Sequence, residues 1–186
     1  MAQSKLILCT GGARSGKSAF AERYSAAQPG RHVYLATARI WDEEMKERVA
    51  LHQARRPLDW PTFEVPEKMA AALAHICPQA DVLLIDCLTL YFSNFLFAHE
   101  KEGDGEIMAA AEKEMAEILQ VLHRYPVTAI FVTNELGSGI VPMEKLSRLY
   151  RDMIGRLNQL VAAAADEVYL SVSGITIEIK GQAVKL

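Results

Sequence analysis

The chain has 186 residues, enough for one domain, 1–186, with a substantial buried core. Hydrophobic residues make up 51% and charged residues 23%, with a net charge of -3. That is the composition of an ordinary globular protein, and it gives no electrostatic case for a nucleic-acid partner. No apolar run reaches the ~18–20 residues that cross a bilayer, so stable membrane insertion is not expected. The first strand starts too near Met1 to leave room for a secretory leader. Cys9, Cys77 and Cys87 are scattered, without metal-ligand spacing. Buried free thiols in a reducing, cytoplasmic location are expected.

Taken in chain order, the first apolar run is Lys5 to Thr10, a short buried strand. Gly11-Gly12-Ala13-Arg14-Ser15-Gly16-Lys17-Ser18 follows it. This is the phosphate-binding pattern of glycine, four residues, then Gly-Lys-Ser, and a helix from Ser18 to Ala27 comes next. Glycines let the backbone curl round a phosphate with its N–H groups inward, and the helix start adds its positive dipole end. In that setting Lys17 reaches the β- and γ-phosphates and the Ser18 hydroxyl binds Mg2+. A strand over Val33 to Thr37 comes next, then a helical pattern over Asp42 to Arg55 and a helix over Glu67 to Cys77. Val82 to Asp86 is an apolar strand ending in an acid. In phosphate-loop proteins such a strand is expected beside the first one, its carboxylate facing Mg2+. Helices follow over Leu88 to Ala98 and Glu106 to Tyr125, separated by a charged stretch, His99 to Glu106, expected to be a mobile surface loop. Met115, Ile118, Leu119 and Leu122 mark the buried face of the second helix. A strand over Thr128 to Thr133, a helix over Pro142 to Ala165 and a strand over Glu167 to Val172 complete the alternation. Val168 to Val172 and Ile175 to Lys180, joined at Ser173-Gly174, form an antiparallel hairpin at the sheet edge.

Alternating strands and helices predict an α/β fold, a doubly wound and mostly parallel sheet of the P-loop NTPase kind, with a C-terminal antiparallel hairpin. Two further stretches bear on chemistry. Met45, Val49, His52 and Arg56 share one helical face. There His52 is either a packed or surface histidine, or a nucleophile whose neighbours Arg55 and Arg56 hold phosphate oxygens. Thr133 to Pro142, polar and with two glycines, leaves the carboxyl end of a strand, where α/β sheets place ligands. It serves either a ligand or chain reversal. His32, His75, His99 and His123 lie at element ends or in polar loops, with solvated or helix-terminal roles.

These residues together resemble the bifunctional adenosylcobinamide kinase / adenosylcobinamide-phosphate guanylyltransferase family of cobalamin biosynthesis. The resemblance runs from about Leu6 to Lys180. Beyond the phosphate loop it is carried by Tyr34-Leu35-Ala36-Thr37-Ala38, by Asp42, Glu44-Met45, Arg48, His52, Arg56-Pro57, Trp60 and Glu64, and by Asp86-Cys87-Leu88-Thr89-Leu90 with Ser93-Asn94. Thr133-Asn134-Glu135, Gly139-Ile140-Val141-Pro142, Arg151-Asp152, Gly155 to Gln159 and Ala165 to Val168 complete it.

The resemblance implies two reactions. A nucleoside triphosphate, ATP or GTP, phosphorylates the hydroxyl of the aminopropanol arm of adenosylcobinamide. A histidine then takes GMP from GTP and passes it to adenosylcobinamide phosphate, giving adenosylcobinamide-GDP. The histidine four residues before the Arg-Pro pair that leads to Trp is His52. By the same resemblance, Gly11, Gly12, Ala13, Arg14, Ser15, Gly16, Lys17 and Ser18 hold phosphates and Ala36, Thr37 and Ala38 line the nucleotide site. Gln53, Ala54, Arg55 and Arg56 contact the guanylyl group, and Glu64 and Asp86 are acidic nucleotide or metal positions. It implies a fold like that of the recombination ATPases (RecA-like), a corrinoid partner and a homo-oligomer, a trimer. Two other readings of the loop are a single-activity small-molecule kinase with a structural His52, and a nucleotide-sensing switch. The guanine-reading Asn-Lys-x-Asp pattern of the switch GTPases is missing from the sequence.

Overall fold

The computed structural model describes residues 4–39 and 59–184. The expected helix over Asp42 to Arg55 lies outside the described residues. Within them, seven strands form one sheet: β1 (Lys5–Gly11), β2 (His32–Ala36), β3 (Thr62–Glu64), β4 (Val82–Asp86), β5 (Thr128–Val132), β6 (Glu167–Val172) and β7 (Ile175–Glu178). Their order is β3-β2-β4-β5-β1-β6-β7. The first six run parallel, and β7 returns antiparallel on β6. Five α-helices are described: α1 (Lys17–Ala26), α2 (Met69–Ile76), α3 (Leu88–Ala98), α4 (Asp104–Leu122) and α5 (Lys145–Ala164).

Strand alternation divides the core in two. Leu6, Leu8, Leu83, Ile85, Ala129 and Phe131 face the layer of α2, α3, α4 and α5. Ile7, Cys9, Leu84, Ile130 and Val132 face the other way, toward Ala21 of α1. Central strands buried on both faces read as unbroken apolar runs, and β1, β4 and β5 do so. On α4 the buried stripe is Ile107, Ala111, Met115, Ile118 and Leu122. Each large member contributes about 1.5–3 kcal/mol by leaving water. Leu119, expected in that stripe, is only half-buried beside it.

Several boundaries differ from expectation for identifiable reasons. The charged stretch before α4 is shorter than predicted, because the helix begins at Asp104 rather than Glu106. The Gly103 N–H donates to Glu106 Oε2 at 2.9 Å, and Asp104 and Glu106 place negative charge in the first turn. Helix α5 begins at Lys145, not Pro142, since Arg148 Nη1 donates to Pro142 O at 3.1 Å and to Met143 O and holds those residues outside the helix. Strand β3 was not anticipated. It has three residues, pairs with β2 at the sheet edge and buries no side chain fully, so no apolar run announces it. The hairpin is as expected: Ser173 and Gly174 both have positive φ, 52° and 82°, as a two-residue primed turn requires. Strand β7 ends at Glu178, and a short 3-10 turn, Lys180–Gln182, follows.

Among the described residues Cys9, Cys77 and Cys87 are buried free thiols. Burial, helped by the Asp86 charge at Cys9 and Cys87, pushes them up to about 12, 11 and 11 respectively. A folded pKa raised above the unfolded one stabilises the protein fully below the unfolded value of about 8.5 and loses that contribution as pH rises through the folded value. Urea-unfolding midpoints are therefore expected to hold to about pH 8.5 and decline from there through pH 11–12. Midpoints that rise across that window would contradict the burial.

Candidate active site

The phosphate loop spans the end of β1 and the start of α1. Its curvature depends on two glycines. Gly11 has φ +153°, and a Cβ there would stand 2.4 Å from Ser171 O and 2.6 Å from Ser15 Oγ. Gly16, at φ +96°, occupies the N-cap of α1, where a Cβ would meet Gly174 Cα at 3.1 Å. The hairpin tip thus buttresses the loop, and the Gly174 N–H donates to Ser15 O at 2.8 Å. On the other side the Glu135 N–H donates to Gly11 O at 3.1 Å. The segment after β5 therefore adjoins the phosphate loop instead of serving chain reversal alone. Arg14 takes the left-handed conformation at φ 56°, which sharpens the loop. We expect Gly11→Ala to cost about 1–3 kcal/mol in urea melts and to weaken triphosphate binding, since either β6 or the loop must shift. Wild-type stability with wild-type binding would show the contact to be soft.

Lys17 opens α1 and is only 8% exposed. Its ammonium donates to Gly12 O at 3.0 Å, across the mouth of its own loop. Burial lowers its pKa, opposed by the charges of Cys87 and Asp86. An arriving polyphosphate favours the charged form further. Ser15 Oγ is buried without a hydrogen-bond partner among the described residues, a polar atom left inside the curl of the loop.

Asp86 requires a correction. Strand β4 does not lie beside β1: β5 is between them, pairing with both. Two strand spacings, about 10 Å, separate the acid's strand from the loop's strand. The register still brings the groups to one edge, since Asp86 is opposite Val132, and Val132 is opposite Cys9. Asp86 therefore points to the α1 face, and Tyr34 Oη donates to its Oδ2 at 3.0 Å. Asp86 is near enough for its charge to act on Lys17. A serine hydroxyl and a carboxylate are hard oxygen donors, the type Mg2+ takes alongside phosphate oxygens and water. Among the described residues no group of three or more His, Cys, Asp or Glu side chains could hold a metal ion.

The other expected residues divide. Ala36 is in register with Glu64 on one side and Asp86 on the other, so three anticipated positions form one row at the carboxyl edge. Thr37 is fully buried, so it supports this edge from beneath more than it lines an open site. Its Oγ1 donates to Cys87 O at 2.7 Å and accepts from the Cys87 N–H at 2.8 Å. Ala38 follows it, half-buried. His52, Gln53, Ala54, Arg55 and Arg56 lie outside the described residues. Trp60, beyond them, is buried and stacks on the His32 ring at 4.6 Å, which gives His32 a packing role.

The sequence offers Thr89, Asn94, Thr133, Asn134 and Asn158 only as carriers of the resemblance, and the structure joins them in a polar chain under the site. The Thr89 hydroxyl donates to Cys87 Sγ at 3.3 Å and accepts from the Asn134 N–H at 3.2 Å. Asn158 Nδ2 donates to Asn134 O at 3.0 Å, and the Thr133 hydroxyl donates to Asn158 Oδ1 at 2.8 Å. Asn94 extends the chain to Thr37. The available signal was polar residues within apolar helical patterns, which are costly to bury unless paired.

A glycine-rich loop between a central parallel strand and a helix, a buried lysine at its mouth and an acid across the sheet edge define a P-loop NTPase fold with a nucleotide-handling site. In fold it is similar to an ATPase from the type III secretion system of pathogenic bacteria, with a TM-score of 0.56, 15% identity, and coverage of 100% of this chain and 59% of that one. The chain belongs to the cobinamide kinase / cobinamide phosphate guanyltransferase family, whose model matches residues 7–179. The bifunctional adenosylcobalamin biosynthesis protein CobU of Salmonella typhimurium is 42% identical over 181 residues, covering 94% of this chain and 99% of that protein. The bifunctional protein CobP of Pseudomonas aeruginosa is 41% identical, covering 94% of this chain and 97% of its own length. CobU of Escherichia coli K12 is 40% identical, with 94% and 99% coverage. The protein is accordingly an enzyme of cobalamin biosynthesis, a kinase and guanylyltransferase. No described helix is long and apolar enough to cross a membrane.

Proposed function

We propose that this single-domain chain phosphorylates adenosylcobinamide with ATP or GTP, and then carries GMP from GTP on His52 to adenosylcobinamide phosphate. The observation that carries the nucleotide half is the phosphate loop, with Lys17 buried at its mouth and donating to Gly12 O at 3.0 Å. Backbone N–H groups of Gly12 to Ser18 and the start of α1 cradle the β- and γ-phosphates, and Lys17 turns from Gly12 O to a phosphate oxygen. Ser18 and Asp86 would hold Mg2+, which would neutralise phosphate charge when bound. In the first reaction the corrinoid hydroxyl oxygen attacks the γ-phosphorus, the bond from that phosphorus to the β–γ bridging oxygen breaks, and the nucleoside diphosphate and the hydroxyl proton leave. In the second, an imidazole nitrogen of His52 attacks the α-phosphorus, and the bond to pyrophosphate breaks. An oxygen of the corrinoid phosphate then displaces the imidazole. Splitting the transfer into two displacements lets one loop serve both reactions.

His52 is assigned by its place four residues before Arg56-Pro57, on the way to Trp60, and Gln53 to Arg56 are the guanylyl contacts of the same reading. The working form is a homotrimer by family resemblance, and the three free thiols fit a reducing, cytoplasmic location. The test is incubation with Mg2+ and GTP labelled in turn at the α and γ positions. Acid-labile label from the α position alone supports the histidine carrier. No α label on folded, GTP-binding protein overturns it.

A further inference from the structure

A groove of about 310 Å3 opens between α5 and the segment that follows β5. Among the described residues it is lined by Gly137, Arg151, Asp152, Gly155, Arg156 and Gln159. Helix α5 ends where β6 starts, at the amino edge of the parallel strands, and Asn158 meets Thr133 and Asn134 at their carboxyl edge. At about 1.5 Å per residue, Gly155 and Arg151 stand about 5 and 10 Å further out along the helix, on the ligand side of the sheet. Glu135 ties the opposite wall to the phosphate loop. Its carboxylate accepts the Gly137 and Ser138 N–H groups at 2.7 and 3.1 Å, and its own N–H donates to Gly11 O.

Glycine inside a helix is disfavoured relative to alanine. At Gly155 neither the backbone nor the packing requires it. It lies mid-helix without a positive φ, and a Cβ there would have no heavy atom within 4 Å. The missing side chain leaves a bare floor on which a ligand can approach the backbone. Around that floor stand groups with bonding capacity to spare. Arg151 Nε and Nη2 both donate to Asp152 Oδ1, at 3.3 and 3.2 Å, and Arg156 Nε donates to Glu112 Oε1 at 2.9 Å. Asp152 Oδ2, both Nη atoms of Arg156 and the Gln159 amide have no hydrogen-bond partner among the described residues. The Asp152 and Glu112 carboxylates balance the two guanidiniums, so the groove does not select an anion. No apolar side chain lines it among the described residues, so the face of a purine finds no wall. Donors and acceptors side by side without net charge match a carboxamide, which carries both. Small-molecule pockets run from about 300 to 1,000 Å3, so this one takes the arm of a large ring and not the ring.

We propose that this groove seats a carboxamide side arm of the corrinoid ring in both reactions. The proposal rests on the reading of adenosylcobinamide as substrate. The experiment compares wild type, Gly155→Ala, Gly155→Leu and Gln159→Leu. The readouts are the kinase KM for adenosylcobinamide, the Kd values for adenosylcobinamide phosphate and for GTP, the urea midpoint and the sedimentation coefficient. Gly155→Leu fills the floor and should weaken both corrinoids at least about tenfold, with the GTP Kd within about twofold. Gly155→Ala should raise the urea midpoint and still raise the corrinoid KM about threefold, a pairing that a merely structural glycine would not give. Gln159→Leu should raise it about threefold to tenfold, and it keeps the test decisive if Gly155→Leu does not fold. Unchanged corrinoid affinity in the folded variants would overturn the proposal. So would weakening of the phosphorylated corrinoid alone, which marks an anion site, or of GTP instead, which marks a base site. Corrinoid weakening only together with a changed sedimentation coefficient would mark an interface between copies and overturn it too. Failure of wild type to bind or phosphorylate adenosylcobinamide would remove the substrate reading, and the proposal with it.

Discussion

His52→Ala is expected to abolish GMP transfer to the corrinoid phosphate, by about 10⁴-fold or more, and to leave the kinase reaction near its wild-type rate. On the proposed mechanism the imidazole is the covalent nucleophile, so its removal removes the pathway and the loss far exceeds that of a binding contact. The kinase reaction needs the phosphate loop, a hydroxyl acceptor and Mg2+, none of which involves the imidazole. Measuring both products from one preparation, with α-labelled and γ-labelled GTP, separates the two. Normal GMP transfer by the variant would show that the nucleophile lies elsewhere. Equal loss of both activities in folded protein would show that His52 supports the site as a whole.

Lys17→Ala is expected to depress both reactions, each by about 10²–10³-fold, the usual effect of deleting one donor to developing charge. The side chain is nearly buried at the start of α1 and already lies across the loop on Gly12 O. Its removal takes a charge-assisted hydrogen bond from the phosphates and removes the cation on which the Asp86 charge acts. Triphosphate affinity by calorimetry and both turnover rates should fall together. If binding and turnover were unchanged, the loop would not be the phosphate site, whatever its glycines suggest. The two substitutions are expected to differ: His52→Ala divides the two activities and Lys17→Ala does not.

Local features carried most of what was read before the structure. The phosphate loop is contiguous, so its glycines, lysine and serine are visible in eight letters, and the flanking strand and helix are visible in the apolar runs on either side. Strands β1, β4, β5 and β6 lie within a residue or so of their expected bounds, the first three because strands buried on both faces read as apolar runs. The turn at Ser173-Gly174 was equally plain, since it answers a local demand for positive φ. Strand β3 was invisible because an edge pairing of three residues draws its stability from β2, not from its own pattern.

The sequence by itself determined the nucleotide chemistry, the family and the alternation of elements. These depend on residue types at short spacing, where sterics and periodicity act directly. The tertiary structure alone decided that β5 intervenes between the strands of the loop and the acid, which side of the sheet Asp86 faces, and that Ser171 and Gly174 press on the glycines of the loop. It also decided that Asn94 bonds to the backbone of Thr37, 57 residues away in the chain. Those facts are choices of register and long-range hydrogen bonding. Many strand orders satisfy the same local pattern, and one is selected by how the two faces of the sheet close over their cores and meet every buried polar group.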